Sequence, residues 1–459
     1  MKNDNGRMSR RDFLKQTAAG TAGIIAAAHA PSLYALGAND RIRVACVGYS
    51  DRFRQSLAPC LKAFAPELNF DLVAVADLWR KRLEEEAVPG LEKLFGHKVA
   101  AYRSDAELYE KAKDVDAVII STADFQHARH AAAAVAAGKD AYCEKPMAED
   151  MRAANLLLDA VVAKRKAGCA PGAVLQIGSQ RRSGAAYMAA KDFLASGKFG
   201  PLAYVDLCWN VNQNRRWRRS EKLVASLRKE DIDWDRWLLD RDPKSYAFDP
   251  RKYLEFRLFW PFSSGIPGQW MCHQIDTIGW FSGLSHPLSA VASGGIYAWD
   301  DGRMNCDTFT TVLEYGPSPL NPRGFQAVFS SRQTNGARGN VEKYHGPQGT
   351  IDLCAGTRSK EGAGGRSKPV KLAANAGTAA TGANTGADPL TSAHVRNWME
   401  CVRERKLPNA PVEAGYGHTV ALVMSNAALR TGKKAQFDPA ARCVTIDGKP
   451  WTGYRAREI

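Results

Sequence analysis

Three short stretches of this 459-residue chain place chemically useful side chains where a fold could aim them. The first is the turn Gly48-Tyr49-Ser50-Asp51-Arg52-Phe53, directly after the apolar run Ile42–Val47. A glycine turn after a first strand lets backbone N–H groups and a helix start face a pyrophosphate, as in a dinucleotide-binding βαβ unit. Against the pattern G-x-G-x-x-G only Gly48 is present, with Ser50 and Phe53 at the other two places, so a purely structural turn explains this stretch as well. The second is Asp77, which ends the next apolar run and could accept the hydroxyls of an adenosine ribose; a strand-end turn or helix cap would use an aspartate equally. Its charge opposes a 2′-phosphate and favours NAD, whereas Arg80, Lys81 and Arg82 keep NADP open. The third is Glu144-Lys145-Pro146, after the short run Ala141-Tyr142-Cys143. An ammonium at the carboxyl end of a parallel strand can orient a hydroxyl or stabilise developing alkoxide charge, and Pro146 fixes the turn that aims it.

These stretches need a scaffold, and the pattern supplies one. Short apolar runs at 42–47, 72–76, 117–121 and 141–143 alternate with helical stretches, among them an Ala-rich one at 127–137. Such alternation predicts an α/β domain, a Rossmann-like doubly wound parallel sheet over 39–165. Beyond about residue 170 aromatics increase, and runs at 204–209 and 309–315 alternate as half-buried antiparallel strands do. This predicts a C-terminal α+β domain over 166–459 with a large, mostly antiparallel sheet. Residues 355–389, dominated by Ala, Gly, Thr, Ser and Asn, read as a flexible surface loop, and 391–432 as closing helices ended by Gly432.

Composition bounds the class. With 45% hydrophobic and 24% charged residues the body is neither disordered nor polytopic, and outside the leader no apolar run approaches the ~20 residues that span a bilayer. The formal charge of +15 bears on solubility and non-specific binding more than on function. Residues 9–15, Ser-Arg-Arg-Asp-Phe-Leu-Lys, precede a weakly apolar stretch and resemble a twin-arginine export signal, so 1–38 is read as signal and linker and the protein as exported, periplasmic or equivalent. Gly20, Gly23 and His29 count against a membrane anchor. The ten cysteines stand singly without a C-x-x-C pair, which predicts neither a zinc site nor any other metal, and no disulfide. Cys46 and Cys143, inside strand-like runs, read as small buried hydrophobes.

The segment Ser121-Thr122-Ala123-Asp124-Phe125-Gln126-His127-Ala128, followed at its spacing by Glu144-Lys145-Pro146, closely resembles the Gfo/Idh/MocA oxidoreductase family. The resemblance continues through Gly178-Ser179-Gln180-Arg181-Arg182, Met271-Cys272-His273-Gln274-Ile275-Asp276, Gly346–Thr350 and Asn397–Val402. It implies a nicotinamide cofactor bound by Gly48, Ser50, Asp51, Arg52, Asp77, Ser121, Thr122, His127, Glu144 and Lys145. It also implies Lys145 as the first catalytic group, with His273 and Asp276 as its partners. The family's Asp-x-x-x-His-x-x-Asp pattern is incomplete, because Gln269 stands in the first place; it shares a helix face with 273 and 276 and can hydrogen-bond a sugar hydroxyl but cannot take a proton. Substrate candidates are Arg182, Trp209, Asn210, Gln213, Gln269, His273, Tyr344 and His345, aromatic faces and donors of the sort sugars need. The run Arg215-Arg-Trp-Arg-Arg219 resembles a nucleic-acid patch in composition, but could equally hold an acidic sugar or be an exposed loop.

An exported dehydrogenase meets no free pool of nicotinamide cofactor, so it would fold around its NAD(P) and keep it. The hydride taken from one sugar is then returned to another or to the same molecule. Three readings stay open: a sugar oxidoreductase with retained cofactor, a redox-neutral glycoside-cleaving or epimerising enzyme acting through a keto-sugar, and a sugar-binding protein that has lost its nucleotide. The resemblance implies a homo-oligomer; no nucleic-acid partner and no stable membrane insertion are expected.

Overall fold

The computed structural model describes residues 40–166, 172–361, 365–372 and 388–456; the twin-arginine stretch, Cys169 and residues 373–387 of the Ala/Gly-rich segment lie outside them. Six parallel strands form the first sheet: β1 (Ile42–Val47), β2 (Phe70–Ala76), β3 (Ala100–Tyr102), β4 (Ala117–Ile120), β5 (Asp140–Cys143) and β6 (Leu175–Ile177), in the order β3-β2-β1-β4-β5-β6. Order reverses between β1 and β4, so a crevice opens at their carboxyl ends. The strands read as continuous apolar runs because helices cover both faces: Val44, Ala45 and Cys46 of β1 and all of β4 are buried. Among these helices are α1 (Ala58–Leu68), α2 (His127–Ala136) and α3 (Met151–Lys166). Small side chains let α2 pack tightly against its neighbours, Ala128, Ala131 and Ala134 being fully buried.

The second sheet is an eleven-stranded, mostly antiparallel layer. It contains β7 (Tyr204–Trp209), β8 (Ser289–Gly295), β9 (Thr308–Tyr315), β10 (Phe325–Arg332), β11 (Asn340–Gly346), β12 (Gly349–Asp352), β13 (Thr357–Lys360), β14 (Val370–Lys371), β15 (Ala435–Asp438), β16 (Cys443–Ile446) and β17 (Lys449–Pro450). Their order is β14-β13-β12-β11-β7-β10-β9-β8-β15-β16-β17, with only β7 and β10 parallel. Alternation along β9 and β10 buries Phe309, Leu313, Ala327 and Phe329 on one face. Helix α4 (Cys272–Ser282) packs on α6 (Val412–Thr431), and α6 covers β8.

The structure corrects three organisational expectations. The parallel sheet does not end at 165, because β6 joins it beside β5; its three residues include Gln176, too short and too polar a run to read as a strand. Helix α5 (Pro389–Glu404), assigned from sequence to the second domain, packs on α1 instead, where Trp398 sits 6.1 Å from the Phe70 ring and 5.9 Å from that of Tyr142. The segment 355–389 is not wholly loop, since β13 and β14 extend the sheet edge through it. Cys46 and Cys143 are fully buried within β1 and β5, as read.

One element has no counterpart in the sequence reading. Residues 217–262 leave the second domain and form a roof beside the parallel sheet, knitted by an aromatic core in which Trp234 stacks on Trp237 at 4.5 Å and Phe125 and Phe262 pack around them. Trp79, just past β2, pairs its backbone with Ile232 and lies in the same core.

Candidate active site

The carboxyl ends of β1, β2, β4 and β5 open into a cleft of about 920 Å³, closed opposite by the stretch 212–219 and the roof. All ten residues expected at the cofactor line it: Gly48, Ser50, Asp51 and Arg52 after β1, Asp77 after β2, Ser121, Thr122 and His127 after β4, and Glu144 and Lys145 after β5.

The turn works with one glycine. Gly48 has φ +87°, and a Cβ there would lie 2.7 Å from Thr122 Cγ2 and 2.9 Å from the Ser121 carbonyl oxygen, so no other residue fits. Ser50, in place of a second glycine, accepts the Phe53 N–H at 3.2 Å and lies 2.6 Å Oγ to Oγ from Ser121, capping the following helix and tying the turn to the β4 end. Phe53, in place of the third, is buried in the core between helix and sheet. Gly48→Ala is therefore expected to weaken nucleotide binding on the order of 10–100-fold through strain and clash, read by calorimetry, with circular dichroism checking that the fold survives.

Asp77 accepts the Tyr49 N–H through Oδ2 and the Trp79 N–H through Oδ1, each at 2.9 Å, and the Tyr253 hydroxyl is also against it, which braces the turn. Beside it Arg82 lies 4.6 Å from the Trp79 ring and 5.8 Å from that of Tyr253, whereas Arg80 is committed to Asp231 at 2.9 Å and Lys81 is exposed. Of the three cations that kept NADP open, only Arg82 lines the cleft. Arg52 is a correction: it is turned inward, donating from Nε to Glu144 Oε1 at 2.9 Å and from a terminal nitrogen to Thr391. Burial pushes the Glu144 carboxyl up, but Arg52 outweighs it and holds the group below its ordinary range. His127 braces loops, with Nδ1 2.8 Å from the Pro146 carbonyl oxygen and Nε2 3.3 Å from that of Thr122; burial lowers its pKa and keeps it neutral.

Lys145 donates to the backbone carbonyl of Gln269 at 2.7 Å. Burial, with Arg257 nearby, lowers its pKa below that of an ordinary lysine even though Cys272, Asp124 and Glu144 act in the other direction. The Gln269 side chain in turn donates to Asp124 Oδ2 at 2.6 Å, an oxygen that also accepts from Ser263 Oγ at 2.6 Å. Asp124 is fully buried, and its Oδ1 has no hydrogen-bond partner among the described residues. Thus a carboxylate, that of Asp124, stands one hydrogen bond behind the amide at position 269. In the sequence Asp124 stands out only as part of a motif, and nothing along the chain ties 124 to 269.

His273 follows Gln269 by one helical turn, behind the cleft wall, and is buried. Its ring is 5.9 Å from that of Trp209, and its Nε2 has no partner. Burial, with the charges of Lys145, Arg181 and Arg52 and with His418, pushes its pKa well below the ordinary imidazole value. Asp276 departs from its expected catalytic role. Both its oxygens are held by Arg182, at 2.9 Å and 3.1 Å from Nε and 3.0 Å from a terminal nitrogen, and His418 Nδ1 lies 3.9 Å away. Burial acts to raise its pKa, but Arg182 and His418 hold it below the usual carboxylate range.

Other substrate candidates are also reassigned. Arg182 is consumed by Asp276 and does not line the cleft. Trp209 stacks on Trp270 at 6.0 Å as core. Asn210 bridges the Ala337 carbonyl and the Arg332 N–H, joining β7 to the loop after β10. Tyr344 is fully buried on β11, and His345 bonds Thr350 within the sheet. Gln213 and Gln269 do line the cleft, and so does the whole basic run 215–219. Arg257, which no motif marked, reaches the same wall from the roof.

With this geometry in hand, the relatives can be placed. Residues 42–171 match the Gfo/Idh/MocA model, an oxidoreductase family with an NAD-binding Rossmann fold. Inositol 2-dehydrogenase of Streptomyces avermitilis is 31% identical over 249 residues, covering 49% of this chain and 68% of that protein. The inositol 2-dehydrogenase of Klebsiella pneumoniae strain 342 is 30% identical over 176 residues, 38% of this chain and under half, 48%, of its own length. The chain belongs to the Gfo/Idh/MocA oxidoreductase family. Among solved structures, a levoglucosan dehydrogenase in complex with NADH and levoglucosan superposes with a TM-score of 0.60 at 15% identity over 86% of this chain and 99% of that one. Aldose-aldose oxidoreductase from Caulobacter crescentus, complexed with glycerol, gives 0.57 at 18% identity over 86% of this chain and all of the other. At such identity these two show the shared fold.

Proposed function

We propose that the chain transfers hydride between a ring hydroxyl of a sugar or sugar derivative and a nicotinamide cofactor that it keeps bound, and that it does so after export. The observation that carries this reading is Lys145, a half-buried ammonium at the end of β5 held on the Gln269 carbonyl in the wall of a dinucleotide-sized cleft. The residues present fit NAD. The Gly48 turn lies against Ser121 and Thr122 with no room for a Cβ, and Asp77 stands where its charge would oppose a 2′-phosphate. Gly48, Ser50 and the first helical turn would hold the pyrophosphate and Asp77 the ribose.

When bound, the nicotinamide accepts or returns the hydride. Lys145 donates a hydrogen bond to the reacting hydroxyl and stabilises negative charge growing on its oxygen. The hydroxyl proton reaches neutral His273 through a bridging water, because His273, with Nε2 unengaged, stands one turn behind Gln269 and does not itself line the cleft. Gln269, anchored by Asp124, keeps the Lys145 amine on its carbonyl and its own amide in the wall. Retention is supported by the closure over the cleft: Arg219 reaches Asp51 at 2.7 Å, Arg80 reaches Asp231 at 2.9 Å, and Trp79 pairs with Ile232. A retained cofactor suits a protein carrying a twin-arginine-like leader. The outer part of the second sheet exposes Leu288, Val291, Ile296 and Tyr297, which suits a homo-oligomer formed through that sheet.

The activity is tested by adding sugars to the purified protein without free nucleotide and following nicotinamide absorbance through a single turnover. Absorbance that changes with sugar and reverses with a keto-sugar supports the reading; a nucleotide-loaded protein inert to all sugars contradicts it. The pH profile has a defined shape. The His273 pKa lies well below 6.5, so the proton-accepting form persists and kcat/KM stays flat as pH falls from about 7 to about 6. Lys145 acts protonated, so on the alkaline side activity is lost as pH rises through a pKa below the ordinary lysine value of 10.5.

A further inference from the structure

We propose that Glu149 is a positioning residue of the reacting end: it forms with Asp124 a buried carboxyl pair that shares one negative charge and fixes the segment 263–269, on which Lys145 is held. This rests on the reading above that Lys145 meets the substrate, and adds what keeps it aimed.

Lys145 and Glu149 stand in the same loop after β5, and they grip the segment 263–269 at two points. Lys145 donates to the Gln269 carbonyl at 2.7 Å, and Glu149 Oε1 accepts from Ser264 Oγ at 3.2 Å. Glu149 also lies hard against Gly268, where a Cβ would come within 2.5 Å of Glu149 Oε1 and 2.7 Å of Ser264 Oγ. The neighbours of these two residues in the chain serve Asp124: its Oδ2 accepts from Ser263 Oγ and from the Gln269 amide, each at 2.6 Å. Two consecutive serines and a consecutive Gly-Gln pair thus bring the two carboxyl groups together behind Gln269. Cys272 closes the cluster from α4, donating its thiol proton to the Gly268 carbonyl at 2.9 Å.

Asp124 is the better supported of the pair, with Ser263, Gln269 and, 3.6 Å from Oδ1, a terminal nitrogen of Arg257. Glu149 is 2% exposed, is served by Ser264, and its Oε2 is buried with no hydrogen-bond partner among the described residues. Of the cations that face Glu149, Arg241 pairs with Asp150 and Asp240, and Arg430 bonds Asn305 and lies 3.9 Å from the Trp260 ring. Two carboxyl groups sharing a dry site cannot both ionise cheaply, so one keeps its proton, and it is the one with fewer donors. In agreement, burial and the charge of Asp124 push the Glu149 carboxyl up to about 8, while Ser264 and Arg241 act in the other direction. Burial pushes the facing Cys272 thiol up to about 12, so it adds no charge. Below about pH 8 the pair therefore carries one charge and Gln269 is anchored. Above it a second charge appears beside Asp124, and repulsion strains the anchor that holds the carbonyl under Lys145.

The test uses the nucleotide-loaded protein with two variants, Glu149→Gln and Glu149→Leu. Infrared difference spectra of the parent against Glu149→Gln at pH 7 are expected to show the C=O band of a protonated carboxylic acid. That band is lost from the parent as pH rises through about 8. Turnover is followed by nicotinamide absorbance with the sugar that the assay above finds fastest. Glu149→Gln keeps the shape and stays neutral, so at pH 7 its kcat stays within about threefold of the parent. Its alkaline fall begins at higher pH, leaving the part that belongs to Lys145. Glu149→Leu loses the polar grip, and its kcat falls on the order of 10–100-fold with KM and nucleotide content little changed. Absence of the infrared band overturns the shared charge. An alkaline limb in Glu149→Gln that superposes on that of the parent overturns the positioning role, and so does a Glu149→Leu protein as fast as the parent. If Glu149→Leu does not fold, the band and the Glu149→Gln profile decide. A protein that shows the band yet oxidises no sugar upholds the shared charge and overturns the proposed activity, so the two failures are told apart.

Discussion

Lys145→Ala is expected to lower kcat on the order of 10²–10³-fold, the cost typical of removing a donor that stabilises transition-state charge, while nucleotide content and melting temperature hold. Stability should hold because Lys145 is a half-buried ammonium whose one side-chain hydrogen bond among the described residues is to the Gln269 carbonyl; its removal relieves a desolvation cost as it releases one acceptor. Lys145→Arg should not rescue, since a planar fork cannot replace a compact ammonium on that carbonyl. The measurement is single-turnover absorbance on protein of verified nucleotide content. Activity within about threefold of the parent, a barrier change under ~1 kcal/mol, would remove Lys145 from the reacting centre.

The second large effect is on stability. Asp276 and Arg182 form a buried, doubly hydrogen-bonded pair, so Asp276→Ala leaves a guanidinium uncompensated in the interior. Breaking such a pair from one side costs about 3–5 kcal/mol. The expected result is a clear fall in denaturation midpoint, partly recovered in the double variant Arg182→Met/Asp276→Leu, which removes both charges and keeps apolar volume. If Asp276→Ala melted like the parent and lost turnover, Asp276 would return to the catalytic role that its place in the family pattern suggested.

Legibility followed sequence separation. The residues around the nucleotide cleft could be named because each follows a buried strand directly, and a parallel sheet brings the ends of β1, β2, β4 and β5 to one edge. Lys145 was legible for the same reason. The Gly48 turn looked damaged in sequence because Ser50 and Phe53 act through partners far along the chain: Ser50 against Ser121, and Phe53 against the core shared with α5. The pairing of Asp276 was not legible because its partner, Arg182, is 94 residues away and reached only through tertiary packing. Asp124 and Gln269 are 145 residues apart, and no local pattern announces the hydrogen bond between them. The roof at 217–262 was invisible because its helices are very short and its core is aromatic clustering without a period.

The central claim is that this cleft holds NAD and does not let it go. The most direct measurement is to purify the protein without adding nucleotide, denature it, and identify what is released by mass spectrometry and absorbance. The account predicts one NAD per chain. A protein that releases nothing, and that then fails to take up added NAD or NADP, would contradict it.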